Sequence, residues 1–374
     1  SLVLLVGAGL FVRSLRNVES VRLGYDTAPV AMVDLNMRGV QLDSSAEKEL
    51  RDRIMATVTT IPGVENASFM NAVPFWSTWS SSLFVEGIDT VSRLGEFDLN
   101  SVSPGYFATI GTRVIRGRGF TDDDRADTRK VMVVSDAMAK RLWPERDAIG
   151  QCIRVNADTM PCTYVVGIAE NIKSSSLANE SAYYYYLPYT QNPGGQLPSL
   201  FVRTRGVASD QLESIRRRLQ HEMPGASYVT TTAFSDVLAG QMSSWQLGAT
   251  MFAAFGLLAL ILAAVGLYSV IAYNVAQRTH ELGVRVALGA RANDVVRLVV
   301  GEGLKLVLIG VIAGTTVSLV AARWVKPLLF DESPRDPQVM VLVPVVLIGV
   351  ALAASWFPAR RASRVDPQVA LRTE

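Results

Sequence analysis

The chain has 374 residues, of which 49% are hydrophobic and only 19% charged, and its mean hydropathy is +0.24. Soluble domains carry about 25% charged residues, so this composition excludes a disordered chain and argues against an ordinary cytosolic enzyme. The formal net charge of +2 is too small for a nucleic-acid binder, the two cysteines exclude a disulfide-dense scaffold and a four-cysteine zinc site, and the two histidines leave little room for histidine-based metal chemistry.

Ser1–Val12 (SLVLLVGAGLFV) is apolar but too short to cross a bilayer. We read residues 1–15 as the end of a truncated transmembrane helix; an interfacial helix is the alternative. From about residue 26 the pattern alternates strands and helices. Val30–Met37 alternates like a strand, Ser44 or Ser45 is placed to cap a helix running to about Thr60, and Val64–Asn71 is the next strand. Asp98–Val102, Val131–Val134 and Thr163–Ile168 are further strands, with a helix from Ser135 to about Trp143. Toward the end of this region Ser199–Thr204 and Tyr228–Thr232 read as strands, with a helix capped by Ser209 between them.

Three features of this region invite functional readings. Cys152 and Cys162 sit on two strands joined by a loop, so pairing could bring their Cβ atoms within about 4.5 Å. A disulfide is expected if the region is extracytoplasmic, with two free buried thiols as the alternative. The run Tyr183–Tyr186, as a strand, puts two rings on each face; half-buried packing is expected ahead of a ligand platform. Asp122–Asp124 lacks the spacing of a calcium loop, and is expected to be a solvated turn with a helix cap.

Leu247–Tyr273 has no charge and exceeds the roughly 20 residues that span the hydrocarbon core. Gly248, Gly256 and Gly266 suit close helix packing in lipid. Leu298–Ala322 is a second span and Val339–Phe357 a third, containing Pro344. Glu302 and Lys305, three apart near the start of the second, can pair on one face and snorkel to the interface; contact with a neighbouring helix or partner subunit is the alternative. Basic residues exceed acidic ones in 274–297 and in the tail but balance them in 323–338, which places the first two in the cytoplasm and the large domain outside. Arg13 and Arg16 then lie on the outer side, against the rule.

Between the first two of these spans Thr279 can cap a short helix that Gly289 ends, Glu281 and Arg285 can pair at i,i+4, and Leu282 and Val286 form an apolar stripe. Such an element suits either docking on a soluble partner or anchoring at the membrane surface. No phosphate loop, H-E-x-x-H or G-x-S-x-G occurs, and no acid–base or nucleophile set is visible.

The run QRTHELGVRVALGA (Gln277–Ala290) resembles the cytoplasmic loop signature of the FtsX/MacB-type ABC transporter permeases, and PARRASRVDPQVALR (Pro358–Arg372) resembles their C-terminal signature. VSPGYFATIGTRVIRGRGFTDDD (Val102–Asp124), SDAMAKRLWP (Ser135–Pro144), AIGQCIRV (Ala148–Val155) and YVVGIAENI (Tyr164–Ile172) resemble the MacB-like periplasmic core domain, and LLFDESPRDP (Leu328–Pro337) the matching outer loop. His280, where arginine is more usual, and the cysteine pair depart from the pattern. The likeness is strongest to the C-terminal half of duplicated acidobacterial-type permeases.

This resemblance implies an α-helical membrane protein of one truncated and three full transmembrane helices with a large α+β periplasmic domain. That domain would comprise a porter-like α/β layer (26–90 and 197–235) and an inserted β-rich subdomain (91–196). The FtsX-like part would cover 246–374, with spans 247–273, 298–322 and 339–357 and a coupling helix at 277–290. It further implies a bacterial inner-membrane permease without catalysis or cofactor of its own. Its expected partners are a separate ATPase, a second permease half or subunit, a periplasmic partner and membrane lipid, with no nucleic acid. The role would be export or mechanotransmission; a membrane-anchored regulator of a periplasmic cell-envelope enzyme is the alternative.

Overall fold

The computed structural model describes the whole chain except residues 176, 178–182, 194–196, 279–280, 282–283, 286–290, 327–328, 331 and 363–374. It divides into two units, Val21–Gln241 and a helical unit made of Ser1–Ser20 with Met242–Glu374.

The first unit is built on one mixed sheet. Its strands are β1 (Val30–Asn36), β2 (Val64–Met70), β3 (Trp79–Ser80), β4 (Leu83–Val85), β5 (Phe97–Val102), β6 (Val114–Gly117), β7 (Val131–Ser135), β8 (Cys152–Val155), β9 (Thr163–Ala169), β10 (Tyr183–Pro188), β11 (Ser199–Thr204) and β12 (Tyr228–Ala233). The order across the sheet is β12-β1-β11-β2-β5-β10-β7-β9-β8-β4, with β3 on β5 and β6 on β9. Most neighbours are antiparallel, but β10 runs parallel to β5 and β7 parallel to β9.

Period-two alternation sends successive side chains of the central strands to opposite faces of the sheet, each covered by its own core. In β1, Val30 and Met32 enter one core while Ala31 and Val33 enter another, closed by α2 (Ser44–Val58) and α5 (Leu212–Gln220). In β7, Val131 and Val133 share the core of Val30, whereas Met132 and Val134 face a third core closed by α4 (Asp136–Leu142). The tyrosine run does the same. Tyr184 and Tyr186 pack with Tyr106 and Phe107 of α3 (Tyr106–Ile110), and Tyr185 with Tyr183 on the opposite face. Tyr184, Tyr185 and Tyr186 are fully buried rather than half-buried, because β10 lies centrally between β5 and β7.

Three local details differ from the sequence reading. Asp43, not Ser44 or Ser45, caps α2, accepting from the Ala46 N–H at 2.8 Å. Ser209 lies in a 3-10 turn, Ala208–Asp210, and the helix starts only at Leu212, because the Gln211 N–H is taken by the Ala208 carbonyl. Asp124 caps no helix. Its buried carboxylate receives both Arg118 Nη atoms at 2.7 and 2.8 Å and the Thr121 N–H at 2.9 Å.

These bonds, chiefly from Arg118, hold the Asp124 carboxyl below its ordinary value although burial opposes them. A depressed folded value contributes stability that is complete above the unfolded value of about 3.9 and is lost as pH falls through the lower one. The stability gap between wild type and Asp124→Asn should therefore be constant from pH 7 to about 5 and close below about pH 4, read by denaturant unfolding of the Val21–Gln241 transition.

The hairpin of β8 and β9 places Cys152 opposite Tyr164, and the Cys152 and Cys162 sulfurs are joined, with Cα atoms 5.3 Å apart. The loop spans ten residues. Replacing both with serine should cost about 2–3 kcal/mol in the chain-entropy account, measured by the same unfolding transition. Mass spectrometry of oxidised wild type should find no alkylatable thiol.

The helical unit contains α1 (Leu2–Glu19), α6 (Phe234–Gln277, of which Met242 onward belongs here), α7 (Ala292–Val325) and α8 (Pro337–Ala362). The last three are long and apolar enough to cross a membrane. Glycine brings α1 against α6 by mutual insertion. A Cβ on Gly7 would lie 2.9 Å from Phe252, and one on Gly248 2.8 Å from Phe11; the two rings stack at 4.8 Å. Gly256 similarly meets Leu5. Gly266, by contrast, has no neighbour within 4 Å of a built Cβ among the described residues, so it makes no close helix contact.

Candidate coupling site

The segment 277–290 joins α6 to α7. Thr279, Leu282, Val286 and Gly289, and His280, lie outside the described residues. Glu281 and Arg285 are described, and Arg285 Nη2 donates to Glu281 Oε1 at 2.7 Å. That i,i+4 bridge is the spacing of one helical turn. Past the segment, the Arg291 carbonyl accepts from the Asp294 N–H at 2.9 Å and the Asp294 carboxylate returns to the Arg291 N–H at 3.2 Å, closing the first turn of α7.

Two contacts join the helices beside this segment, and the second of them includes one of its own residues. Ile271 of α6, Val299 of α7 and Ala359 of α8 form a small apolar core. Beside it a Cβ on Gly303 would come within 2.7 Å of Ile271 and 2.8 Å of Ser355, so glycine permits the approach of three helices. Next, Arg278 Nη1 donates to Glu302 Oε1 at 2.8 Å. The expected Glu302–Lys305 pair is thus replaced: Glu302 is bonded to Arg278, just past the end of α6, and Lys305 is exposed. An arginine with opposed charge across a helix pair offers a directed bond, while a Glu–Lys pair on one helix face is worth only about 0.2–0.5 kcal/mol. The spacing rule looked within one helix and so missed Arg278.

At the far end of α1 a second charged cluster forms. Arg13 bonds Asp336 at 2.9 Å and Gln338 at 2.8 Å and lies 3.4 Å from Glu332, which also accepts from Asn17. Asp336 caps α8 through the Val339 N–H, and that bond is the first cause of its lowered carboxyl value. Arg13 offended the charge rule in the sequence; the structure supplies acidic partners from the loop before α8. Its presence beside an apolar run, with acids in 331–336, was the available signal.

Residues 3–221 match the family model described as the MacB-like periplasmic core domain, and residues 253–367 that of the FtsX-like permease C-terminal region. The chain belongs to the MacB/FtsX family of ABC transporter permeases. Its relatives include the macrolide export ATP-binding/permease protein MacB of Shigella sonnei, 29% identical over 283 residues, covering 74% of this chain and 43% of that protein. The probable syringafactin export ATP-binding/permease protein SyfD of Pseudomonas syringae pv. syringae is 29% identical over 284 residues, covering 73% and 42%. The chain therefore spans under half the length of these relatives. Among solved structures, the periplasmic region of MacB from Actinobacillus actinomycetemcomitans aligns at 13% identity over 60% of this chain and 97% of that one, with a TM-score of 0.41. In this MacB/FtsX-type chain the three long apolar helices are membrane spans, and Val21–Gln241 carries the extracytoplasmic α/β fold.

Proposed function

We propose that this chain is the permease part of a bacterial inner-membrane ABC transporter whose segment 277–290 docks on an ATPase and passes ATP-driven motion to the periplasmic domain. The observation that carries this reading is the attachment of that segment. It lies between two spans, carries the i,i+4 Glu281–Arg285 bridge and is tied to α7 by the Arg278–Glu302 bond. An element joined at both ends to membrane spans can transmit force. The relatives' names join ATP binding to a permease, and no phosphate loop occurs within these 374 residues, so the reading places hydrolysis in an ATPase outside them. A second permease half or subunit would complete the membrane assembly, and export or mechanotransmission would be the output.

Orientation is the first test. In a chain with Cys152 and Cys162 replaced by serine, a cysteine at position 158 should react with a membrane-impermeant maleimide in intact cells. One at position 285 should react only after permeabilisation. Labelling of position 285 from outside would sink the reading.

A further inference from the structure

The sheet of Val21–Gln241 opens at one seam. β2 and β5 share a single rung, Met70 with Val102, and then part. On the far side of the gap β11 continues along β2 to Ser199, while β5 takes a different partner, β3, through Trp79 and Leu99. Asn71, Val73, Trp76, Ser77 and Trp79, from the chain that joins β2 to β3, line this gap. A cleft of about 520 Å³ results, within the size range of small-molecule sites.

Its walls are aromatic and neutral. Trp76 and Trp79 line it although they are 63% and 52% exposed. Opposite them stand Asn71, Ser101, Asn192 and Ser199, and no lining residue among those described carries a charge. The neutral groups are held in place. Asn192 Nδ2 donates to Ser101 Oγ at 2.7 Å, and the Ser199 hydroxyl to Asp34 at 2.8 Å.

Trp76 is presented by a strained, fastened turn. Phe75 before it has φ +66°, a left-handed conformation that aromatic residues rarely adopt. Its N–H donates to the Ser174 carbonyl at 2.5 Å, the Trp76 N–H to the Val73 carbonyl at 3.0 Å, and the Val73 N–H to Ser77 Oγ at 3.1 Å. Below, both the Ala72 N–H and carbonyl are bonded to the buried Asn100 side chain. The turn holds a large indole toward solvent.

We propose that this cleft binds an uncharged saccharide. The chemistry is specific to that class. The C–H face of a pyranose ring stacks on an indole, and its hydroxyls both donate and accept. Amide and hydroxyl side chains can answer each of them in either sense. A carboxylate or ammonium ligand would enter a site with no counter-charge in its lining. A purely apolar ligand would leave the Asn and Ser groups desolvated and unmatched. The inference is independent of where an ATPase docks, so either can fail without the other.

The test uses the full chain in lipid nanodiscs, free of sugar-headed detergents. Maltotriose and the trimer of N-acetylglucosamine are titrated, read by saturation-transfer NMR and by tryptophan fluorescence. At least one trisaccharide should bind saturably. Trp76→Ala and Trp79→Ala should each weaken it at least tenfold, whereas the lipid-span variant Trp324→Phe should leave it unchanged. Both alanine variants alter exposed side chains, and an intact Cys152–Cys162 bridge with unchanged circular dichroism checks their fold. Asn192→Asp, which puts a charge in the cleft, should also weaken binding. The proposal is overturned by absence of binding to both trisaccharides, by unchanged binding in the tryptophan variants, or by a saturable response to decanol alone.

Discussion

Replacing Leu282 and Val286 together with aspartate should abolish substrate-stimulated ATPase activity in the assembled transporter while leaving insertion of the chain intact. The two positions are one helical turn apart and each follows a member of the Glu281–Arg285 pair by one residue, so in a helix they form a stripe beside that bridge. If the stripe meets the ATPase, two carboxylates enter a desolvated contact. An uncompensated buried charge costs about 3–5 kcal/mol, more than about a hundredfold in affinity. Normal assembly and stimulation in the double variant would move the segment's role to membrane anchoring. A Leu282→Ala and Val286→Ala variant, which removes contact without adding charge, should show a smaller loss in the same assay.

Reversing Arg278 to glutamate should uncouple the transporter in a way that a second reversal repairs. The Arg278–Glu302 bond is about half exposed, at 54% and 43% for the two side chains. Exposed pairs are worth under about 1 kcal/mol and breaking buried ones costs 3–5. Charge reversal adds a repulsion of similar size to the lost attraction, so we expect about 1–2 kcal/mol, on the order of tenfold in the equilibrium holding the segment to α7. Stimulated ATPase activity should fall accordingly in Arg278→Glu and in Glu302→Arg, and should recover in the double variant carrying both. Recovery is the informative result, because a variant that merely misfolds is not rescued by a second reversal. Lys305→Ala should change little, as Lys305 does not hold Glu302.

The elements that the sequence made legible are those set by one physical signal each. Strand-like runs placed β1, β2, β5, β7, β9, β11 and β12 to within a residue or two, and in β1, β7 and β11 successive residues enter separate apolar cores. The spans were legible because each contains an uncharged apolar run long enough, or nearly so, to cross the hydrocarbon core. Capping was less so: Asp43 outcompeted Ser44 and Ser45, since an ionised carboxylate is a better acceptor at a positive helix end. Full burial of the tyrosines depended on β10 lying between β5 and β7, and strand order across a sheet is not a local property. The same holds for the clasp of Arg13 with residues more than 300 positions later and for the Arg278–Glu302 bond. The tryptophan cleft depended on where two strands separate, which no periodicity encodes. Within the coupling segment, the Glu281–Arg285 bridge was readable from spacing because it is internal to one turn.

The claim at the centre of this account is that segment 277–290 is where the chain meets its ATPase. The direct measurement is photocrosslinking in native membranes from p-benzoylphenylalanine placed at position 285, with Phe84, exposed in the Val21–Gln241 unit, as the comparison position. The account predicts an adduct at 285, and none at 84, whose partner yields a peptide with a G-x-x-x-x-G-K-[ST] phosphate loop in mass spectrometry. An ATPase adduct from position 84, or efficient crosslinking from 285 to lipid or to this chain alone, would contradict it.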